Sequence, residues 1–117
     1  MNFKRIATAA VASLALVAST AHANYSCGGP VTYLGIDMLG DVTVSIGSYP
    51  IHKICNFNGT NGRASAATCK SVYATLLTAR ATGKTAAIYY DENGYTCSTL
   101  PGWQFVPSVY FVQGPDN

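Results

Sequence analysis

Hydrophobic and polar residues alternate regularly in the second quarter of the chain. Residues 42–46 read Val-Thr-Val-Ser-Ile, which is the pattern of a half-buried β-strand. Residues 31–38 and 51–57 are rich in β-branched and aromatic side chains, which favours one further strand on each side of that segment. Residues 28–30, Gly-Gly-Pro, precede the first strand as a flexible lead-in. The pattern therefore predicts three successive short strands separated by glycine-containing turns.

The period changes to that of a helix between residues 66 and 82. This stretch contains no glycine or proline, and Val72, Leu76 and Ala79 fall on one side at helical spacing. Gly83 follows directly, in the position where a helix ends with a left-handed residue. We therefore expect one helix over residues 66–82, capped by Gly83.

The last third of the chain returns to strand-like patterns. Residues 85–90 predict a fourth strand, and the Asn-Gly pair within residues 91–94 predicts a hairpin turn into a returning segment, residues 95–98. Residues 106–112 predict a final strand at a sheet edge, because Pro107 lacks the N–H that a central strand needs. Since one helix cannot cover both faces of a sheet, the order favours a mainly β (α+β) domain. We expect a small, curved antiparallel sheet or barrel of the OB type, with the helix at one end.

The first 23 residues have the features of a secretory signal peptide. Lys4 and Arg5 precede an apolar run over residues 6–17, and Ala21-His22-Ala23 is a small-x-small cleavage site. The apolar run is shorter than the roughly 20 residues that a membrane span needs. We therefore expect a single domain over residues 24–117 that is secreted or periplasmic and does not span a membrane.

The charge of the predicted domain is close to zero. The chain has seven Lys and Arg against five Asp and Glu, and Lys4 and Arg5 lie in the predicted signal, so that five oppose five. Nucleic-acid binders need clustered positive charge, which excludes that class of partner. A weakly charged, tyrosine-rich surface suits neutral partners such as sugars or other protein subunits.

Four cysteines in an exported chain predict two disulfides. They can pair in three ways. We favour Cys55 with Cys69, which would tie the third strand to the start of the helix, and Cys27 with Cys97, which would tie the N-terminal segment to the late hairpin. A metal site is disfavoured, because no two cysteines are as close in sequence as metal-ligand pairs usually are.

Nothing in the pattern marks a catalytic residue, and no cofactor is implied. His52 is the single histidine of residues 24–117, and a lone histidine in a strand is more often a packed residue than a catalytic base. Ser48 and Asp37 carry no motif that would join them to it. Asp91 and Glu92 are adjacent in a turn, where side chains point apart, so we interpret them as solvated. A non-enzymatic protein is therefore expected.

Aromatic residues are the remaining candidates for binding. Tyr89 and Tyr90 are consecutive in a predicted strand, so one ring should enter the core and the other should be exposed. Tyr95 lies across the predicted hairpin, and Trp103 follows a Pro-Gly break. Exposed tyrosine and tryptophan side chains stack on sugars, anchor protein interfaces or simply pack a small sheet. These three interpretations stay open on the residues alone.

Residues 54–91, about a third of the chain, carry a resemblance to a known family. The run comprises a strand cysteine, a short polar loop, Ala67-Thr68-Cys69 at the helix start, Thr82-Gly83-Lys84 at its end, and Ala87-Ile88-Tyr89-Tyr90-Asp91. It resembles the receptor-binding B subunits of AB5 toxins, of the subtilase-cytotoxin type, with their pertussis-like and typhoid-toxin relatives. Those chains place their second disulfide late, whereas here Cys27 would pair with Cys97.

The resemblance implies a function as well as a fold. It implies an OB-fold protomer in a homo-oligomeric ring of five that binds sialylated glycans on host cells and delivers a separate enzymatic A subunit. Tyr90 matches the second tyrosine of the family's Ile-Tyr-Tyr strand, which contributes to the glycan pocket. We therefore expect a cell-surface glycan-binding module that uses Tyr90, Tyr89 and Tyr95. The alternatives are a small periplasmic or secreted protein-binding protein, inhibitory or structural, and an exported hydrolase acting through His52.

Overall fold

The computed structural model describes residues 24–117. The predicted signal peptide, residues 1–23, lies outside the described residues. The described chain consists mostly of antiparallel sheet with one α-helix between the third and fourth strands, as the pattern predicts. The elements in chain order are β1 (Tyr25–Ile36), β2 (Asp41–Ile46), β3 (His52–Asn56), α1 (Ala66–Thr82), β4 (Thr85–Tyr90), a 3₁₀ turn (Cys97–Thr99) and β5 (Val109–Asp116).

The long first strand bends and serves two neighbours. The sheet order is β3-β2-β1-β4-β5. β1 pairs with β4 from Tyr25 to Pro30 and with β2 from Val31 onward. Residues 28–30 are therefore paired strand and not the expected flexible lead-in. Gly29, with a φ of +148°, adopts a backbone conformation that other residues rarely reach, close to the point where β1 changes partner.

The outer edge of β3 is also hydrogen-bonded. The Lys53 N–H donates to the Gln104 carbonyl at 2.8 Å, and the Val106 N–H donates to the Lys53 carbonyl at 2.9 Å. The segment around Phe105, which leads into β5, therefore pairs with β3 in a parallel direction. Residues 104–106 thus cover the outer edge of β3, while the five strands form an open sheet, and an OB-type barrel stays a prediction.

β2 is more deeply buried than its alternating pattern indicates. Val42, Val44 and Ile46 enter the core as expected, but Thr43 and Ser45 are also buried. The loop after β2 folds back beside the strand, where the Ser45 hydroxyl donates to the Tyr49 carbonyl at 2.6 Å. A polar strand face can be buried when its groups find such partners.

The helix has the predicted bounds and the predicted C-cap, Gly83. Ser65 accepts a hydrogen bond from the Thr68 N–H at the start, which is the usual N-cap arrangement. Gly83 has a φ of 69° and its N–H donates to the last-turn carbonyls. Cys69, Leu76 and Ala79 form the buried side of the helix, which lies against β1 and β5.

The segment after β4 differs from the expected hairpin. Residues 95–98 do not form a strand, and residues 97–99 form a 3₁₀ turn. The Thr96 N–H donates to the Thr99 hydroxyl at 2.8 Å, and such side-chain acceptors compete with the ladder of a sheet. β5 begins at Val109, later than expected, after Pro107. It forms a sheet edge, as predicted.

Both predicted disulfides are present. Cys27 is bonded to Cys97 and Cys55 to Cys69, so all four cysteines are paired. The first bond joins β1 to the 3₁₀ turn, and the second joins β3 to α1. One cross-link therefore fastens the segment after β4 to the sheet, and the other fastens the helix to it.

Candidate functional site

A pocket of about 520 Å³ opens beside the Cys27–Cys97 disulfide. It is formed by the first residue of β1, the loop after β2 and the segment after β4. Three tyrosines face it together with an amide, two hydroxyls and one carboxylate, and its lining residues are Tyr25, Tyr49, Glu92, Asn93, Tyr95, Thr96, Cys97 and Ser98. We call it the tyrosine pocket. Aromatic walls with a few polar groups are typical of small-ligand sites.

The ring of Tyr25 rests on the ring of Tyr90. The two residues are register partners in β1 and β4, and their rings stack with centroids 4.9 Å apart and planes 13° apart. Tyr90 is completely buried. Tyr25 thus forms the pocket surface, and Tyr90 supports it from the core.

The hydroxyl of Tyr90 is held by His52. Nδ1 of His52 lies 2.9 Å from the Pro50 carbonyl, which can only accept, so Nδ1 carries the proton. Nε2 is then the acceptor for the Tyr90 hydroxyl at 2.6 Å. Burial lowers the pKa of His52, although the Pro50 bond opposes that shift, and burial raises the pKa of Tyr90. Both side chains therefore stay uncharged in the core.

These contacts give Tyr90 a structural place in this protomer. Its ring and hydroxyl are both engaged, so it has no surface to offer the glycan contact that the family resemblance implies. His52 is likewise buried with both ring nitrogens bonded. The strand alternation holds: Tyr90 enters the core and Tyr89 does not.

Glu92 shapes the loop that carries Tyr95. Its Oε1 accepts the hydroxyl of Tyr25, and its Oε2 accepts the N–H groups of Gly94 at 2.6 Å and Tyr95 at 3.0 Å. The pKa of Tyr25 is raised above its usual range, mainly by burial and next by the hydrogen bond to Glu92. The Tyr25 hydroxyl therefore keeps its proton and donates a hydrogen bond to Glu92. The expectation of two solvated acids is wrong, because Asp91 pairs with Arg63 as well.

Tyr89 lies away from the tyrosine pocket. Its hydroxyl donates to Oε1 of Gln113 at 2.8 Å, and its ring meets Tyr110 and Phe111 edge-on, at 6.2 and 5.2 Å. Of the three tyrosines predicted to bind a glycan, Tyr95 is thus the one that lines the pocket. Tyr25 and Tyr49 were missed. The sequence contained a signal for Tyr25. Tyr25 precedes Cys27 by two residues and Tyr95 precedes Cys97 by two residues, so the predicted Cys27–Cys97 disulfide brings the two tyrosines near each other.

A second concavity of about 270 Å³ lies beside β3. Trp103 stands there 60% exposed, with a φ of 62° that is unusual for a side-chain-bearing residue. Its ring meets Tyr33 edge-on at 5.8 Å. Nζ of Lys53 bridges Asp37 and Asp41 at 3.2 Å each, and the Asp41 N–H together with Lys53 lowers the pKa of Asp37.

The described residues contain neither a cluster of potential metal ligands nor a helix that could span a membrane. Within residues 24–117, no cluster of three or more His, Cys, Asp and Glu side chains is placed to hold a metal ion. In the same range, no helix is both long and apolar enough to cross a membrane.

Neither a model of a known protein family, nor a curated protein, nor a solved structure matches this chain. The fold and the site define a small α+β domain with two disulfides and a tyrosine-lined pocket.

Proposed function

We propose that the protein is an exported, non-enzymatic binding module that recognises cell-surface glycans through the tyrosine pocket. The observation that carries the proposal is the convergence of Tyr25, Tyr49 and Tyr95 on one concavity with polar side chains between them. Aromatic faces stack on the C–H faces of sugar rings, and neighbouring hydroxyl, amide and carboxylate groups bond the sugar hydroxyls.

The pocket is organised before any ligand arrives. Tyr25 is fixed by Tyr90 beneath it and by Glu92 beside it. The same carboxylate fixes the backbone at Tyr95. A site whose side chains are already immobilised loses less conformational entropy on binding, which favours affinity for a small ligand.

Export is supported by the cysteines and by the N-terminal sequence. Two disulfides persist where thiols oxidise, and residues 1–23 have the pattern of a signal peptide. We therefore place the mature protein outside the cytoplasm, in the periplasm or the medium.

Assembly as a homo-oligomer is a further part of the proposal. The sheet edge formed by β5 exposes Tyr110 (41%) and Phe111 (52%), and exposed aromatic residues are common anchors of protein interfaces. The resemblance to AB5 B subunits suggests a ring of five with an A subunit as partner. Light scattering on the purified exported protein measures this directly, and a strict monomer would remove the ring from the proposal.

Binding is tested on a glycan array with the oxidised exported protein, followed by calorimetry on the best ligand. Tyr95→Ala should lower affinity at least about tenfold, equivalent to about 1.4 kcal/mol, because it removes one aromatic wall. Trp103→Ala is the matched control, since Trp103 is also an exposed aromatic residue but lies outside the tyrosine pocket. A folded sample that binds no glycan would overturn the proposal.

A second candidate function is the binding of another protein. Its specific support is the exposed apolar group at the β1–β2 turn, where Met38 is 100% and Leu39 73% exposed. Exposed apolar clusters mark interaction surfaces, and Trp103 and Tyr33 lie in the neighbouring concavity. Capture of one defined envelope protein, abolished by Leu39→Asp and unaffected by Tyr95→Ala, would favour this function over glycan binding.

A further inference from the structure

We infer that the sugar unit held in the tyrosine pocket is neutral and hydroxyl-rich, and that a carboxylate-bearing sugar such as sialic acid is disfavoured there. The inference rests on the proposed glycan-binding function of the pocket. It departs from the sialylated ligand that the family resemblance implies, and it comes from the charges and hydrogen bonds of the site.

The lining of the tyrosine pocket carries no positively charged side chain. Among the eight described residues that line the pocket there is one acid, Glu92, and no lysine or arginine. Arg63 pairs with Asp91, and Lys53 belongs to the other concavity. A carboxylate is normally recognised by the forked donors of arginine or by a lysine ammonium. The pocket offers an acidic sugar no such partner.

Two backbone N–H donors beside the pocket are already occupied by a carboxylate of the protein. The N–H groups of Gly94 and Tyr95 converge on one point, an arrangement that could bind an incoming carboxylate in place of a cationic side chain. That point is already occupied by Oε2 of Glu92. The protein therefore fills its own anion-binding position with a fixed negative charge, and an acidic sugar would meet repulsion there.

The hydrogen-bonding capacity left on Glu92 suits a neutral sugar. A carboxylate has about four acceptor positions. Three of them on Glu92 are used by Tyr25, Gly94 and Tyr95. The remaining position can accept a sugar hydroxyl, while the rings of Tyr25, Tyr49 and Tyr95 provide stacking surface. Hydroxyl donors are the groups that neutral sugars present in greatest number.

The test compares pairs of glycans that differ only in a terminal sialic acid, such as lactose and sialyl-lactose, by calorimetry at low ionic strength. The neutral glycan should bind at least about tenfold more tightly than its sialylated partner. Added salt should reduce this affinity ratio, because it screens the repulsion between Glu92 and the sialic acid carboxylate. Glu92→Gln should also reduce the affinity ratio, because the glutamine amide can still accept a hydrogen bond but carries no negative charge. Asp116→Asn is the control: it removes one charge from β5, outside the pocket lining, and should leave the ratio unchanged.

The outcomes separate this inference from the proposed function. Equal or tighter binding of the sialylated member would overturn the inference and leave glycan binding standing. No binding of either member, nor of any glycan on the array, would overturn both. The salt series uses the unaltered protein, so it decides the matter even where Glu92→Gln fails to fold.

Discussion

The hydroxyl of Tyr90 donates to Nε2 of His52 over 2.6 Å in the buried core of the domain. The two residues lie 38 positions apart, in β4 and β3. Because the ring of Tyr25 stacks on the ring of Tyr90, this bond fixes the support beneath the tyrosine pocket. A contact in the core thus determines the position of a side chain on the surface.

Tyr90→Phe should destabilise the domain. The substitution keeps the ring but leaves Nε2 of His52 buried without a donor, which costs about 1–3 kcal/mol. Urea unfolding measures the loss. Tyr89→Phe is the matched control, since its hydroxyl bonds Gln113 at the surface, and it should change the free energy of unfolding by less than about 0.5 kcal/mol. Equal effects of the two variants would contradict the assigned roles.

Stability should fall as the pH drops below about 6.5. Burial lowers the pKa of His52 in the folded state from its usual 6.5. Above that value the imidazole is neutral in both states, so the penalty is absent. Below pH 6.5 the His52 imidazole binds a proton in the unfolded chain but not in the folded chain. The free energy of unfolding therefore decreases as the pH falls toward the lower pKa of the folded state, by at most about 1.4 kcal/mol per pH unit.

Urea unfolding at intervals between pH 7.5 and pH 5 measures this slope. The matched variant is His52→Phe, which is less stable overall but should show a flatter dependence in that window, because no other histidine occurs in residues 24–117. An unchanged slope in the variant would show that another group is responsible.

The two disulfides should differ in their effect on binding. Under the loop-entropy account, replacing Cys55 and Cys69 with serine costs about 3 kcal/mol and replacing Cys27 and Cys97 costs about 4 kcal/mol. Because Cys97 lines the pocket, replacing Cys27 and Cys97 should also weaken the glycan affinity of those molecules that remain folded. Calorimetry and urea unfolding on both variants separate the effects. Equal glycan affinity of the two double-serine variants would argue against a role of Cys97 in the site.

Gly83→Ala should destabilise the domain by about 1 kcal/mol. Gly83 ends α1 with a φ of 69°, which alanine adopts only with strain. Gly59→Ala is the control, since an added Cβ meets nothing within 4 Å at either position and Gly59 has no positive φ. Thermal unfolding compares the two. A loss at position 59 as large as that at position 83 would mean that backbone conformation is not the cause.

The sequence predicted best what local chemistry decides. The helix bounds and the Gly83 cap follow from residues within one or two turns, and the structure confirms them. The prediction of a returning strand after β4 was wrong, because the side chains of Glu92 and Thr99 accept hydrogen bonds from backbone N–H groups of that segment. Such side-chain acceptors compete with strand pairing and leave no period in the sequence.

The site was harder to predict than the fold. Alternation shows that one of Tyr89 and Tyr90 enters the core, but the choice between them depends on His52 and Tyr25, which come from distant strands. Tyr49 reaches the pocket from the loop after β2, where no pattern marks it. Long-range contacts of this kind decide which tyrosine is exposed.

The Cys27–Cys97 cross-link has a consequence for when the protein becomes active. Half of it stands in the wall of the pocket, and thiols remain reduced in the cytosol. A newly made chain would therefore lack a finished wall until it meets an oxidant. Under the glycan-binding function proposed above, the pocket would therefore be completed only after the chain has left the reducing cytosol.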